Sequence, residues 1–532
     1  MRGWTADALR AAALCAAIAL LDVIFGAHAW MPFLEWARAP APTLEAMLLV
    51  GLLPLARRSH RPVLVLAVMG LAAAVPAGLS IGEGISLHAF REALDPLHDA
   101  RFLPALAEVA FGGALWRTIA GIILVDAAAL AAASLPPFAV LAAARRAATP
   151  RAAAIAVCLA VVVSGALLAK GTPPGQVILH PAVTLLFRSA APAAAGPAPG
   201  VTAPAARPVP APASSRVAPA RDVHLLVLES YGAAVFSNPA LRAQMAPAYA
   251  ELARALRADG IGVRTRLLDS PVFGGRSWIA DATIATGTRV ADQASYDSLA
   301  ARAPLAISRL FAGRGYRTVF AAPGTKTLDE TWKALFPFDR YVLSVDFGYA
   351  GPSLGFGNQP DQFTLGYLLR EEAAASERRP IFVDAVLVSS HTPWSNVPAY
   401  VADWDAMGDG SLWRDPSRRT SYRTTLAGGG PSVAAYGDSI AYVLTAVEGY
   451  AARALGPRGV LFAVGDHEPK YPVSERGASR SVVAHVLSRD PALLDAMGAR
   501  GWTEGLEASE PPAPVPLESI YAEVAAAAGP GS

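Results

Sequence analysis

Five apolar stretches crowd the first 170 residues, at about 11–31, 41–56, 62–81, 119–144 and 152–169. A helix that crosses a bilayer needs about 20 apolar residues, so these stretches predict membrane spans, with the second the shortest. The first is not read as a removable leader, because further spans follow and no small-residue cleavage site closes it. Apolar residues make up 53% of the 532-residue chain and the mean hydropathy is +0.35, more than a soluble protein of this size carries.

Lysine and arginine placement sets the expected orientation. Arg2 and Arg10 precede the first stretch, Arg57, Arg58 and Arg61 fill the turn before the third, and Arg145, Arg146 and Arg151 fill the turn before the fifth. Five spans put all three clusters on one side, the cytoplasmic one. The mixed-charge loop with Glu83, Arg91, Glu92, Asp95 and Asp99, and everything after residue 170, then fall outside. An even number of spans breaks this agreement. Asp22, Glu45 and Asp126 lie in or near spans. Such acids mark ion paths in some proteins, but a helix–helix hydrogen bond or an interfacial position accounts for them more simply.

From 189 to 222 the chain is almost only Ala, Pro, Gly, Val and Ser, a composition that builds no core and serves as a tether. A more apolar piece, 177–187, is expected to be an amphipathic connector at the membrane surface. The domains expected are therefore a transmembrane part (1–170), a connector and linker (171–221) and an outer domain (222–525).

Beyond residue 222 the pattern becomes short apolar runs at 224–228, 316–322, 381–388, 460–464 and 482–487, with helical patterns between them such as 247–258 and 439–455. That alternation predicts one α/β domain with a mostly parallel sheet covered on both faces by helices. The two cysteines, Cys15 and Cys158, both sit in apolar runs, so neither a disulfide framework nor a cysteine metal site is expected. A net charge of +2 gives no reason to expect nucleic acid as a partner.

In open α/β sheets, ligands bind at the carboxyl ends of strands. Three of the five runs end in an acid, a histidine or both: Glu229-Ser230, Ser389-Ser390-His391 and Gly465-Asp466-His467. Carboxylate oxygen and imidazole nitrogen are standard ligands for Zn, Mn or a similar divalent ion. A fourth element, Phe273-Gly274-Gly275-Arg276-Ser277-Trp278, reads as a glycine turn leading into a helix. Ser277 at that helix start is either an ordinary N-cap or a nucleophile activated by a metal, with Arg276 beside it to neutralise a phosphoryl oxygen. Thr283 and Thr286 are the alternative hydroxyls. His224 reads as a core or edge histidine, and His485, inside an apolar strand, is left out of the ligand set.

The order of Leu228-Glu229-Ser230, Gly275-Arg276-Ser277, Ser389–Trp394 and Gly465-Asp466-His467 behind five apolar stretches resembles the sulfatase-like branch of the alkaline phosphatase superfamily. More narrowly, it is similar to the membrane-anchored lipoteichoic acid synthase and phosphoglycerol transferase group. That resemblance implies an alkaline-phosphatase-like outer domain with one divalent ion (Mn, Zn or Mg) on Glu229, Ser277, Asp466 and His467. It makes Ser277 the nucleophile where the family usually has Thr. It places His391 against the head or leaving group, and Trp332, Arg340 and Asp361 in the region of the other head-group contacts.

The activity implied is transfer of a phosphoryl head group, phosphoglycerol from a membrane lipid, through a covalent Ser277 intermediate to a glycan or polymer hydroxyl. The protein would sit in the inner (plasma) membrane, multi-pass, with its catalytic domain on the periplasmic or extracellular side. The alternatives are a sulfuric ester or phosphodiester hydrolase, a phosphoethanolamine transferase, and a non-enzymatic glycan- or partner-binding domain. Sulfatases of the superfamily mature a Cys/Ser-x-Pro-x-Arg motif, which neither Ser270-Pro271 nor Ser277–Asp281 provides. Phosphoethanolamine transferases usually carry disulfides in the outer domain, which here has no cysteine. The sequence leaves the oligomeric state open.

Overall fold

A computed structural model describes residues 2–25, 43–90, 133–169, 221–299, 305–357, 359–373, 379–423, 432–475, 478–508 and 514–529. The chain divides into two compact units, Met1–Gly196 and Pro197–Ser532.

The first unit is helical. Its helices are Arg2–Phe25, Leu44–Arg58, Pro62–Phe90, a segment over 133–144, and Pro150–Ala169, so the first, second, third and fifth apolar stretches fall on helices. Residues 119–132 of the fourth stretch, Asp126, the loop at 91–99 and the connector at 177–187 lie outside the described residues, as does the tether up to residue 220. Among the described residues one helix segment, Pro62–Leu79, is long and apolar enough to cross a membrane.

Packing in this unit runs opposite to that of a soluble protein. Its interior is dominated by alanines, including Ala11, Ala17, Ala46, Ala56, Ala152 and Ala156, while Leu48, Leu52, Leu64, Val68, Leu71 and Val162 point outward. Small residues let helix backbones approach closely, and large apolar side chains on the outside suit lipid. Asp22 accepts from the backbone N–H of Thr43 at 3.2 Å and from its hydroxyl at 2.6 Å, tying the first helix to the start of the second.

The second unit is built on an eight-stranded sheet. Its strands are β1 (Val223–Leu228), β2 (Gly262–Asp269), β3 (Arg317–Ala322), β4 (Arg340–Leu343), β5 (Ile381–Leu387), β8 (Val460–Gly465), β9 (Ser481–Ser488) and β10 (Thr503–Glu504). The pair β6 (Asn396–Pro398) and β7 (Arg419–Ser421) forms a separate ribbon. The sheet order is β10-β2-β9-β8-β1-β5-β3-β4, parallel from β8 to β4 and antiparallel where β9 and β10 pair. The mostly parallel α/β reading therefore holds, and the five apolar runs are β1, β3, β5, β8 and β9.

Every residue of β1, β8 and β9 is buried, as expected for strands covered on both faces. Alternation divides β1 between two cores: Leu226 and Leu228 face one side, Val223, Leu225 and Val227 the other. The helix Pro239–Ala258 closes the first core with Leu241, Met245, Tyr249, Leu252 and Leu256, at helical spacing. Its start is fixed by Asn238, whose side chain accepts from the N–H groups of Ala240 and Leu241, ahead of Pro239 at the first position. The helix Ser432–Ala454 packs against it.

Register positions the site. Leu228 lies level with Leu387 of β5 on one side and Gly465 of β8 on the other. The next residue of each strand, Glu229, Val388 and Asp466, therefore emerges on the same carboxyl edge of the sheet.

Candidate active site

Glu229, Asp466 and His467 bring three ligand atoms within 4.8 Å of one another, all on buried residues. Nε2 of His467 lies 3.0 Å from Oε1 of Glu229 and 3.6 Å from Oδ2 of Asp466. Neither Nε2 of His467 nor Oδ2 of Asp466 makes a hydrogen bond, although both atoms are buried. Atoms this close that do not bond one another are aimed at a common point. The other atoms of the same groups are committed. Oδ1 of Asp466 accepts from the N–H of Ser230 at 2.7 Å and of His467 at 2.6 Å. Nδ1 of His467 faces the carbonyl of Glu468 at 3.0 Å. A carbonyl only accepts, so Nδ1 carries the proton there and Nε2 is left to ligate.

Electrostatics agrees. Burial alone would lower the His467 pKa, but the Asp466 and Glu229 carboxylates raise it to about 10. Burial works against the charge on Glu229 as well, yet His391 and His467 hold its carboxyl well below the usual range. The cluster demands positive charge at this point, which a divalent cation supplies in place of a proton. Two carboxylates and an imidazole suit Zn or Mn.

Ser277 completes the group. Gly274, Gly275 and Arg276 all have positive φ (70°, 156° and 62°), a tight turn that delivers Ser277 as the first residue of the helix Ser277–Thr286. Arg276 occupies the N-cap position, with no side-chain cap. Ser277 instead donates its hydroxyl to Oε2 of Glu229 at 2.8 Å. The alternative hydroxyls are taken: Thr283 donates to the Ile279 carbonyl and Thr286 to the Ala282 carbonyl, at 2.8 and 2.7 Å.

The non-glycine residues with positive φ among those described are Ser230, Arg276 and Trp394. Each lies within three residues of Glu229, Ser277 or His391. Left-handed backbone costs about 1–2 kcal/mol per residue, and its confinement to these three segments marks them as held in place for a task. The Glu229–Ser230 turn is held by Ser390, which donates to the Glu229 carbonyl at 2.6 Å, and by Tyr436, which donates to that of Ser230 at 2.7 Å. Ser270 does the same for the Asp466 carbonyl at 2.6 Å. Gly465 is required because a Cβ there would lie 2.0 Å from the Tyr231 carbonyl oxygen.

His391 lies close enough for its charge to act on Glu229. Its Nδ1 faces the Thr392 carbonyl at 2.5 Å, leaving Nε2 as the acceptor, and its ring stacks on Phe356 with centroids 3.9 Å apart. Burial lowers its pKa, with Glu229 opposing.

The other expected head-group contacts, Asp361, Arg340 and Trp332, each have partners within the fold. Asp361 is fully buried, and its two oxygens accept from the N–H groups of Val388 and Ser389 at 2.8 and 3.0 Å. It positions the turn that carries His391. Arg340 bonds the Tyr367 hydroxyl at 2.6 Å, and Trp332 packs among Phe320, Phe336 and Tyr341.

One acid near the cluster carried no signal in the sequence. Asp281, one turn beyond Ser277, keeps some exposed surface, but its Oδ1 is sealed and without a partner. Burial first, then Asp466, Asp384 and Glu229, push its carboxyl well above the usual range. It shares a cavity with Trp278, Trp332 and Asp384. Only its helical spacing from Ser277 could have pointed to it. His224 and His485 are core histidines, bonded to Tyr450 and to Tyr231 and Thr265.

No family model and no curated protein matches this sequence. Solved structures do. A lipoteichoic acid synthase from Listeria monocytogenes is similar at 13% identity and a TM-score of 0.34, over 50% of this chain and 65% of its own. The phosphoglycerol transferase of Streptococcus pyogenes, solved with sn-glycerol-1-phosphate, is similar at 12% identity and a TM-score of 0.35, over 57% of this chain and 84% of that one. The soluble domain of lipooligosaccharide phosphoethanolamine transferase A from Neisseria meningitidis gives 11% identity and a TM-score of 0.38, over 60% and 92%. The match thus spans slightly under two thirds of the lipoteichoic acid synthase chain. Likeness at these values is weak, and the chemistry stands on this chain's own residues.

Proposed function

We propose that the chain is a membrane-embedded, metal-dependent transferase that moves a phosphoryl head group, phosphoglycerol from a phospholipid, to a hydroxyl of a glycan or polymer through Ser277. The observation that carries this is the Ser277–Glu229 hydrogen bond inside a cluster whose remaining ligand atoms are buried and orphaned.

Glu229, Asp466, His467 and Ser277 are the residues that would hold one divalent ion (Mn, Zn or Mg). Bound there, such an ion lowers the pKa of the Ser277 hydroxyl and offsets charge on the phosphoryl oxygens. Ser277 Oγ bonds to phosphorus as the bond from phosphorus to the diacylglycerol oxygen breaks. The proton Ser277 loses is relayed through His391 to the departing oxygen, which leaves as the hydroxyl of diacylglycerol, while Glu229 stays ionised and orients the serine. In the second half, an acceptor hydroxyl attacks the phosphoserine. His391 takes its proton and passes it to Ser277 Oγ as the bond from Oγ to phosphorus breaks, which restores the hydroxyl. Arg276, next to the nucleophile, is assigned to the phosphoryl oxygens.

The N-terminal unit is proposed to cross the membrane five times with the outer domain beyond it. Alanine-lined interiors with leucine and valine outside support this. So does the basic turn at Arg145–Ala147, which packs against both Arg2–Phe25 and Leu44–Arg58 and so gathers arginines at one end of the bundle. Anchoring keeps the site among lipid head groups, where the effective donor concentration is high.

The test is diacylglycerol release by the full chain in detergent micelles containing fluorescent phosphatidylglycerol. Release that requires both a divalent ion and Ser277 supports the proposal. Release that persists in Ser277→Ala contradicts it. Release onto water alone, never onto an added glycan, makes the protein a hydrolase.

A further inference from the structure

A second set of unmet buried polar groups lies beside the helix that carries Ser277. Asp281, Asp384 and Ser308 line one cavity, walled by the rings of Trp278, Phe320 and Trp332. The cavity also touches Val227 and Ile307, so it belongs to the second core's face of the sheet. The turn of His391 instead sends Trp394 into the first core. Asp384 sits in the middle of β5 and is 6% exposed. No hydrogen bond or neighbouring charge acts on its carboxyl, which burial alone raises to about 7. Ser308 is 1% exposed, and among the described residues its Oγ has no partner, nor has Oδ1 of Asp281. Buried polar groups are rarely left unmet in folded proteins, and here three of them line one space.

The chemistry of that space calls for a cation. Its lining holds two acids and no Lys, Arg or His. All three unmet groups can accept a hydrogen bond, and aromatic faces attract a cation electrostatically. A hard metal ion is poorly served, because three side chains fall short of the roughly six oxygens it takes and the carbon walls replace none of its water. A primary ammonium brings three N–H donors to three acceptors, and its carbon chain suits the rings. The cavity measures about 50 Å³, and one water needs about 10–15 Å³, which leaves room for about four heavy atoms. A phosphate group is excluded by size and by the two unopposed acids.

We propose that this cavity binds a free small primary alkylammonium ion, held by Asp281, Asp384 and Ser308 beside the nucleophile helix and apart from the transferred group. Asp281 links the cavity to the centre, since its carboxyl feels the charges of Asp466 and Glu229. A positive charge at either place repels one at the other. Ammonium and divalent ion should therefore weaken each other's binding reciprocally. The inference goes beyond the transferase proposal and is testable without turnover.

The experiment titrates ethylammonium into the full chain in detergent, by calorimetry, with and without Mn, for the native protein, Asp384→Asn and Ser308→Ala. Saturable binding is expected in the native protein. It should be weaker by at least about 10-fold in Asp384→Asn, because hydrogen bonds to charged groups are the stronger ones, and by less in Ser308→Ala. Both variants should keep the native stabilisation by Mn, which shows that they fold. Affinity should rise when Mn is removed. Tetramethylammonium, which has no N–H, and potassium, which has neither N–H nor carbon, should bind more weakly than ethylammonium. With Mn present, phosphoethanolamine should not displace ethylammonium. No saturable binding in the native protein, binding unmoved by both variants, binding lost with Mn, an equal response to potassium, or displacement by phosphoethanolamine overturns the proposal. None of these outcomes depends on whether Ser277 transfers a phosphoryl group.

Discussion

The Ser277 hydroxyl donates to Oε2 of Glu229 across 2.8 Å, joining the start of one helix to the carboxyl end of β1. The contact spans 48 residues of sequence and depends on a left-handed Arg276 to aim the serine. Ser277→Ala should abolish head-group release, a loss of at least about 10³-fold in turnover, while Glu229, Asp466 and His467 still bind metal. Ser277→Thr keeps the hydroxyl and should retain activity. Steady-state release with metal content measured in parallel checks both.

The cluster predicts metal-dependent stability. Glu229, Asp466 and His467 are buried with mutually opposing charges, and an ion that binds the folded state alone adds about 4 kcal/mol at 1,000 times its Kd. Chelation should lower the outer domain's melting temperature, and Mn or Zn should restore it. In His467→Ala the response to both should vanish. A native melting curve indifferent to chelator and metal would contradict the site.

Asp361 tests positioning as distinct from contact. It holds the N–H groups of Val388 and Ser389, three and two residues before His391. Asp361→Ala leaves two buried donors unmet, at about 1–3 kcal/mol each. It should lower kcat through a displaced His391 without changing bound metal, and Asp361→Asn, which keeps one acceptor, should lie between. A rise in KM alone would point to direct substrate contact.

Two core histidines set an acid limit on stability. Burial lowers His485 to about 3, and burial, opposed by Asp222, lowers His224 to about 4. Both are neutral when folded, whereas the unfolded side chain titrates near 6.5. Below that value the unfolded chain binds more protons, so this stabilisation is complete above about pH 7 and lost as pH falls toward the folded pKa values. Each histidine contributes a slope of up to about 1.4 kcal/mol per pH unit in that window. The urea midpoint should therefore fall less steeply between pH 6.5 and 4.5 in His485→Gln than in the native protein. Parallel slopes would count against the assignment.

The parallel strands β1, β3, β5 and β8 were legible because burial leaves an apolar run. β2 was not. It lies next to the antiparallel edge, and Arg264 and Arg266 break its apolar run while reaching Asp495, Glu504 and Glu523 at the surface. The cluster residues were legible for a related reason: Glu229 and Asp466-His467 each follow a buried strand immediately. The supports were not. Ser390, Tyr436 and Ser270 act on backbone carbonyls, and nothing in their local sequence distinguishes them from ordinary polar residues. Nor does the sequence around Asp361 show the two backbone N–H groups that its carboxylate holds.

The most direct test of the central claim is to trap the intermediate. Full-length protein loaded with divalent metal is incubated with phosphatidylglycerol without acceptor, quenched in acid, and the peptide containing Ser277 is weighed. The expected result is a phosphoglycerol adduct on Ser277 that is absent after chelation and absent in His467→Ala. An unmodified Ser277 peptide alongside continuing diacylglycerol release would contradict covalent transfer through this residue.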